Sequence, residues 1–68
     1  MNRAIRQLRC DLEKPRPKGY EPFDKYAYNA FSWQAAYWMV YAKSVEERAE
    51  AFRLRDVACQ KSREAAAV

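Results

Sequence analysis

The sequence predicts an all-α protein: a short N-terminal helix, a Pro-containing connector and an antiparallel helical hairpin, packing as a homodimer. Three observations predict it. Apolar residues recur at helical spacing along most of the chain. One Gly and three Pro supply too few turns for a many-stranded sheet. The 68 residues, 50% apolar and 15% aromatic, make one domain at most, and a chain of that size buries only roughly 60% of its unfolded surface. That shortfall brings a second copy into the expectation.

The first element spans about residues 2–13. Met1, Ile5, Leu8 and Leu12 fall on one helical face, with Ala4 alongside. About three turns of helix are marginal alone in water, so this helix must dock to persist. Residues 14–23, which include Pro15, Pro17 and Pro22, form the connector. Its prolines lack amide donors and push the preceding residues toward extended geometry, giving a partly polyproline II spacer. Service as a ligand for an aromatic groove is the lesser alternative.

The second helix is expected over about 24–42. Asp24 is placed to cap it, and Phe23 and Tyr28 have the spacing of a hydrophobic staple. The third is expected over about 45–64. Ser44 and Glu47 form a capping box, in which the hydroxyl reaches the Glu47 amide and the carboxylate reaches back. Glu46, Glu47 and Glu50 near its start and Lys61 and Arg63 near its end suit the helix dipole. The Ala65–Ala67 tail is expected to fray. A connection as short as Lys43-Ser44 predicts an antiparallel hairpin, one kinked helix being the alternative.

The second helix is apolar all round. Tyr26, Ala30, Trp33, Tyr37, Val40 and Tyr41 share one face; Ala27, Phe31, Ala35, Trp38 and Ala42 share another; Tyr28 and Met39 lie beyond. Only Asn29, Ser32 and Gln34 interrupt with polar side chains. The third helix carries two stripes as well, Val45, Ala49, Phe52 and Cys59 on one side and Ala51, Leu54, Val57 and Ala58 on the other. One stripe of each can pack within the chain, and the remainder needs another surface. A four-helix dimer hides it in the simpler reading. Docking on a different protein is the sharper one, since Tyr and Trp dominate interface hot spots. Tyr26, Trp33, Tyr37, Trp38, Tyr41 and Phe52 are therefore the candidate protein-binding or dimer residues.

The formal charge of +4 is unevenly placed. Residues 1–18 hold six basic and two acidic groups, whereas the rest hold seven of each. Arg3, Arg6 and Arg9 recur every three residues and are the candidate electrostatic contacts, set against the plainer reading of a solvated face opposite Ile5, Leu8 and Leu12. They suit an acidic protein surface or nucleic-acid phosphates. A helix-turn-helix reader is disfavoured, because Glu46, Glu47, Glu50 and Asp56 would meet the phosphates.

Catalytic chemistry is thinly supplied. The chain has no His, and neither a Gly-rich phosphate loop nor a nucleophile elbow. Cys10 and Cys59 lack zinc spacing, so no metal and no cofactor is expected. With no long apolar run after the basic N-terminus, no export signal is expected either, and the two Cys read as free thiols in a reducing cytoplasm; a disulfide between them is the lesser alternative. The aromatic, interrupted second helix is no membrane span.

The length, basic N-terminal region, Pro-containing connector and aromatic helix joined to a charged helix together resemble the small phage-encoded inhibitors of host regulators, of the phage anti-quorum-sensing type. The resemblance covers the chain in outline and carries over no individual residue's role. It implies a compact helical protein in the cytoplasm of a bacterial host, binding a quorum-sensing transcriptional activator and also able to bind a pilus ATPase. The expected function is a non-enzymatic, homodimeric protein-binding inhibitor or adaptor of phage or mobile-element origin. A small basic nucleic-acid-binding protein, repressor-like or ribosome-associated, is the alternative, and a purely structural oligomerisation module is a third.

Overall fold

Each helix begins on a side chain that satisfies one of its own free amides, and these caps set the architecture. In the computed structural model, which describes residues 2–14 and 23–67, helix α1 runs Arg3–Glu13, α2 runs Lys25–Tyr41 and α3 runs Val45–Ala66. There is no strand among the described residues, so the protein is all-α. Residues 15–22, the larger part of the expected connector, and Met1 lie outside the described residues.

Asn2 caps α1 by accepting from the Ala4 amide at 2.7 Å. Asp24 caps α2, accepting from the Ala27 amide at 2.8 Å, and the staple closes with the Phe23 and Tyr28 rings edge to face, 5.8 Å apart. Ser44 caps α3 by accepting from the Glu47 amide at 3.1 Å. The returning half of the expected capping box is not made. The Glu47 carboxylate passes Ser44 and accepts from the Lys43 amide at 3.2 Å and from the Asn2 amide at 3.0 Å. It can do so because α1 begins beside the α2–α3 corner, which brings the Asn2 amide within reach of the same carboxylate that takes the Lys43 amide. The first turn of α1 carries no acidic residue of its own, so Glu47 supplies from α3 the negative charge that end needs.

Ala42, Lys43 and Ser44 reverse the chain between α2 and α3. The Ser62 hydroxyl near the end of α3 donates to the Lys25 carbonyl at the start of α2, at 3.1 Å. That bond between opposite sequence ends makes the pair an antiparallel hairpin and excludes the kinked single helix. Helix α3 continues two residues beyond the expected 64, because the Ala67 amide bonds the Arg63 and Glu64 carbonyls and holds the alanine-rich end in register.

The core sits where α1 meets the hairpin. Ile5, Leu8 and Leu12 of α1 close over Ala35 of α2 and Leu54 and Ala58 of α3. Tyr28, Phe31, Trp38 and Val57 are half-buried around this cluster. Small residues make the α2–α3 approach close: Ser32 and Ala35 on one helix, Ala51 and Ala58 on the other, all buried. Ser32 sits there without cost because its hydroxyl donates to the Asn29 carbonyl at 2.6 Å.

A candidate protein-binding surface

With α1 laid over one side of the hairpin, the rest of the apolar surface is left uncovered. Its first part is the outer ridge of α2. Tyr26, Trp33, Tyr37, Val40 and Tyr41 are 73%, 71%, 54%, 70% and 60% exposed. Ala30 is exposed among them. These are the members of the first apolar face read from the sequence, and the second face, Ala27, Phe31, Ala35, Trp38 and Ala42, is the one turned inward. The ridge is internally ordered. Tyr37 lies 4.6 Å from the Tyr41 ring and packs edge to face on Trp38 at 5.0 Å, while the Lys25 ammonium stands 5.2 Å from the centre of the Tyr26 ring.

The second part lies on α3 and the end of α2. Phe52 is 48% and Val45 is 80% exposed. Met39, Val45, Arg48, Ala49 and Phe52 line a shallow, almost wholly apolar groove. The Arg55 guanidinium covers part of the Phe52 ring at 5.3 Å. A smaller depression, lined by Ser32, Trp33, Ala36, Arg55 and Cys59, joins this side of the hairpin to the ridge.

Of the candidate contact residues, the structure brings Tyr26, Trp33, Tyr37 and Tyr41 together on the ridge and places Phe52 apart on α3. Trp38 differs from them. It is half-buried against the core, so most of its ring serves the fold. Sequence reasoning missed the part played by Met39, Val45 and Arg48 in the groove, because three residues on either side of the corner meet only once the hairpin is closed.

The basic residues of α1 have unlike surroundings. Arg3 and Arg6 are exposed, but Arg9 is half-buried with its guanidinium 4.0 Å from the Glu50 carboxylate. Glu50 also accepts from Arg53, and Arg53 bridges to Glu13 at the end of α1. The hydrogen bonds from Arg53 hold the Glu50 carboxyl below the usual carboxylate range, against the desolvation that opposes them, with the charges of Arg53 and Arg9 adding to the effect. The same bonds, to Glu50 first and to Glu13, raise the already high pKa of Arg53. This chain of alternating charges fastens both the middle and the end of α1 to α3, so part of the basic stripe is used internally.

Cys10 and Cys59 are free thiols, both half-buried. Among the described residues no three His, Cys, Asp or Glu side chains gather where a metal ion would sit, and no helix is long and apolar enough to cross a membrane. The exposed rings and aliphatic groups stand on rigid helices and lose little side-chain freedom when covered. Comparison of the chain with protein-family models, with curated proteins and with solved structures finds no match.

Proposed function

We propose that this protein is a non-enzymatic binding protein that inhibits or recruits another protein by covering part of its surface. The observation that carries the reading is the exposed aromatic ridge with its neighbouring groove on α3. Side chains this large and more than half exposed each leave about 100–150 Å² open to water, so the five ridge residues, Val40 included, together present roughly 500–750 Å². A soluble monomer rarely leaves more than that in one apolar patch, and patches of this size are commonly functional. The mechanism is steric or conformational blockade, in which hydrophobic anchors supply affinity and the exposed Arg3 and Arg6 speed the approach to an acidic partner.

The format, a very short basic and aromatic helical chain, further supports a phage or mobile-element origin, action in the cytoplasm of a bacterial host, and a regulatory target such as a quorum-sensing transcriptional activator. Nucleic acid is the second choice of partner. The involvement of Arg9 with Glu50 weakens that alternative, because it removes one cation from the stripe that would meet phosphates.

Capture from a bacterial lysate on the immobilised full chain tests the reading. The bait is compared with a Tyr26→Ser/Tyr41→Ser variant and a Val45→Ser/Phe52→Ser variant, each with and without nuclease. A defined host protein, retained after nuclease and lost with at least one variant, is the expected result. Retention of nucleic acid alone, or a bound fraction indifferent to both variants, overturns it.

A further inference from the structure

The ridge of α2 has a spacing that its exposure alone does not require. Tyr26, Ala30, Trp33, Tyr37 and Val40 follow one another at intervals of four, three, four and three residues. That is the heptad alternation of a helix seam, in which apolar side chains recur every 3.5 residues so that two helices can interlock along their length. All five residues are exposed, so the seam is complete and lacks a partner helix within the described residues. We propose that its occupant is a second copy of this chain, with the two α2 helices packed antiparallel about a two-fold axis at Trp33.

Charge argues for self-pairing. Between Lys25 and Lys43 the chain has no charged residue, and the side chains flanking the seam include the neutral amides Asn29 and Gln34. Two copies therefore meet with no charge contributed by α2 between its ends, and the Gln34 amides, one residue from the two-fold axis, can hydrogen-bond to each other at the rim. The α3 groove is different in kind: Arg48 lines it, so apposing two copies of that surface brings two cations together.

Shape argues for the antiparallel arrangement. Trp33 is the middle residue of both α2 and the seam. Packed antiparallel about it, Ala30 of each copy faces Tyr37 of the other, small against large, and Tyr26 faces Val40 and Tyr41. Packed parallel, every seam residue faces its own copy, so Ala30 leaves a gap and Tyr37 is crowded; packed antiparallel, only the two Trp33 rings at the axis meet like against like, where they stack offset. Area argues that the pairing is sufficient but modest. Two ridges of the size given above cover roughly 1,000–1,500 Å² in all, at the lower end of what specific interfaces bury. The α3 groove stays open on both copies for another protein.

This inference takes the ridge for self-association and leaves the α3 groove to the target of the proposed function; its test uses no target, so either can fail without the other. Sedimentation equilibrium of the full chain from 1 to 300 μM should give a species of twice the 8.1 kDa chain mass at the upper concentrations. Trp33→Glu should weaken association at least 100-fold while helical circular dichroism is unchanged, and Phe52→Glu should alter it less than tenfold. In a background with Cys10→Ser and Cys59→Ser, a mixture of Ala30→Cys and Tyr37→Cys chains should cross-link faster than either chain alone. A monomer throughout the range, dissociation that follows Phe52→Glu as strongly as Trp33→Glu, or faster cross-linking of the unmixed chains overturns the proposal.

Discussion

The two apolar faces of α2 are built from much the same residue types and have opposite fates. The inner face, with Phe31, Ala35 and Trp38, lies under α1 and against α3; the outer, with Trp33, Tyr37 and Tyr41, lies in water. Hydrophobicity does not separate them. Size does. At the centre of the inner face are Ser32 and Ala35, small enough for α3 to approach with its own Ala51 and Ala58, whereas the outer face has a large ring at almost every turn. Close helix packing selects the face that lets two backbones come near, and the bulkier face is left for a surface shaped to receive it.

The sharpest way to break that contrast is to truncate one residue on each side of it. Leu54, fully buried, should lose about 2–5 kcal/mol on Leu54→Ala, a large share of the stability of so small a domain. Trp33→Ala should change the stability of the dilute, monomeric chain by no more than about 0.5 kcal/mol. Urea denaturation followed by circular dichroism checks both, and a loss with Trp33→Ala that matches Leu54→Ala would erase the distinction between the faces.

Enlarging an alanine on each face makes the comparison finer. Ala35→Leu should cost about 1–3 kcal/mol, because nothing between the three helices can yield to it. Ala30→Leu, on the exposed side of the same helix, should leave the melting temperature nearly unchanged. A third substitution addresses how α1 is held against the inner face. Glu47→Ala removes two hydrogen bonds from one carboxylate and should cost about 1 kcal/mol, with faster hydrogen exchange at the Asn2 and Lys43 amides.

The smallest effect concerns pH. The folded-state pKa of Glu50 lies below its unfolded value, so its contribution is fully present above about pH 4.3 and is lost as pH falls through the lower, folded value. The Arg53 partner is half exposed, so that contribution is about 1 kcal/mol or less. Glu50→Gln should flatten the fall in stability below about pH 4 and leave the neutral-pH slope unaltered, as read from melting temperatures across the range.

Much of this fold is legible in the sequence because its helix starts are local. Asp24 and Ser44 cap the amides of residues three positions on, and no tertiary contact is needed to foresee that. The short Lys43-Ser44 corner narrows the outcome to a hairpin or one kinked helix, and the Ser62–Lys25 bond shows the hairpin. The inward face of α2 was not assigned, although the small residues Ser32, Ala35, Ala51 and Ala58 carried the signal. Tyr26, Trp33, Tyr37 and Tyr41 stand exposed on one side of α2, whereas Trp38, a candidate contact with them but a member of the second face, is half-buried against the core. The chain of charges through Glu13, Arg53, Glu50 and Arg9 was illegible for a plainer reason: it joins residues some forty positions apart, and only the docking of α1 brings them within reach.

The grip of Glu47 has a mechanical corollary. One oxygen of its carboxylate is engaged by the chain at the bend, the other by the opening of the first helix. Anything that levers that leading segment away also deprives the bend of a well-oriented acceptor, and anything that splays the bend loosens the segment. The three rods of this small molecule are thereby hinged on one side chain, and a force applied at either place is felt at both.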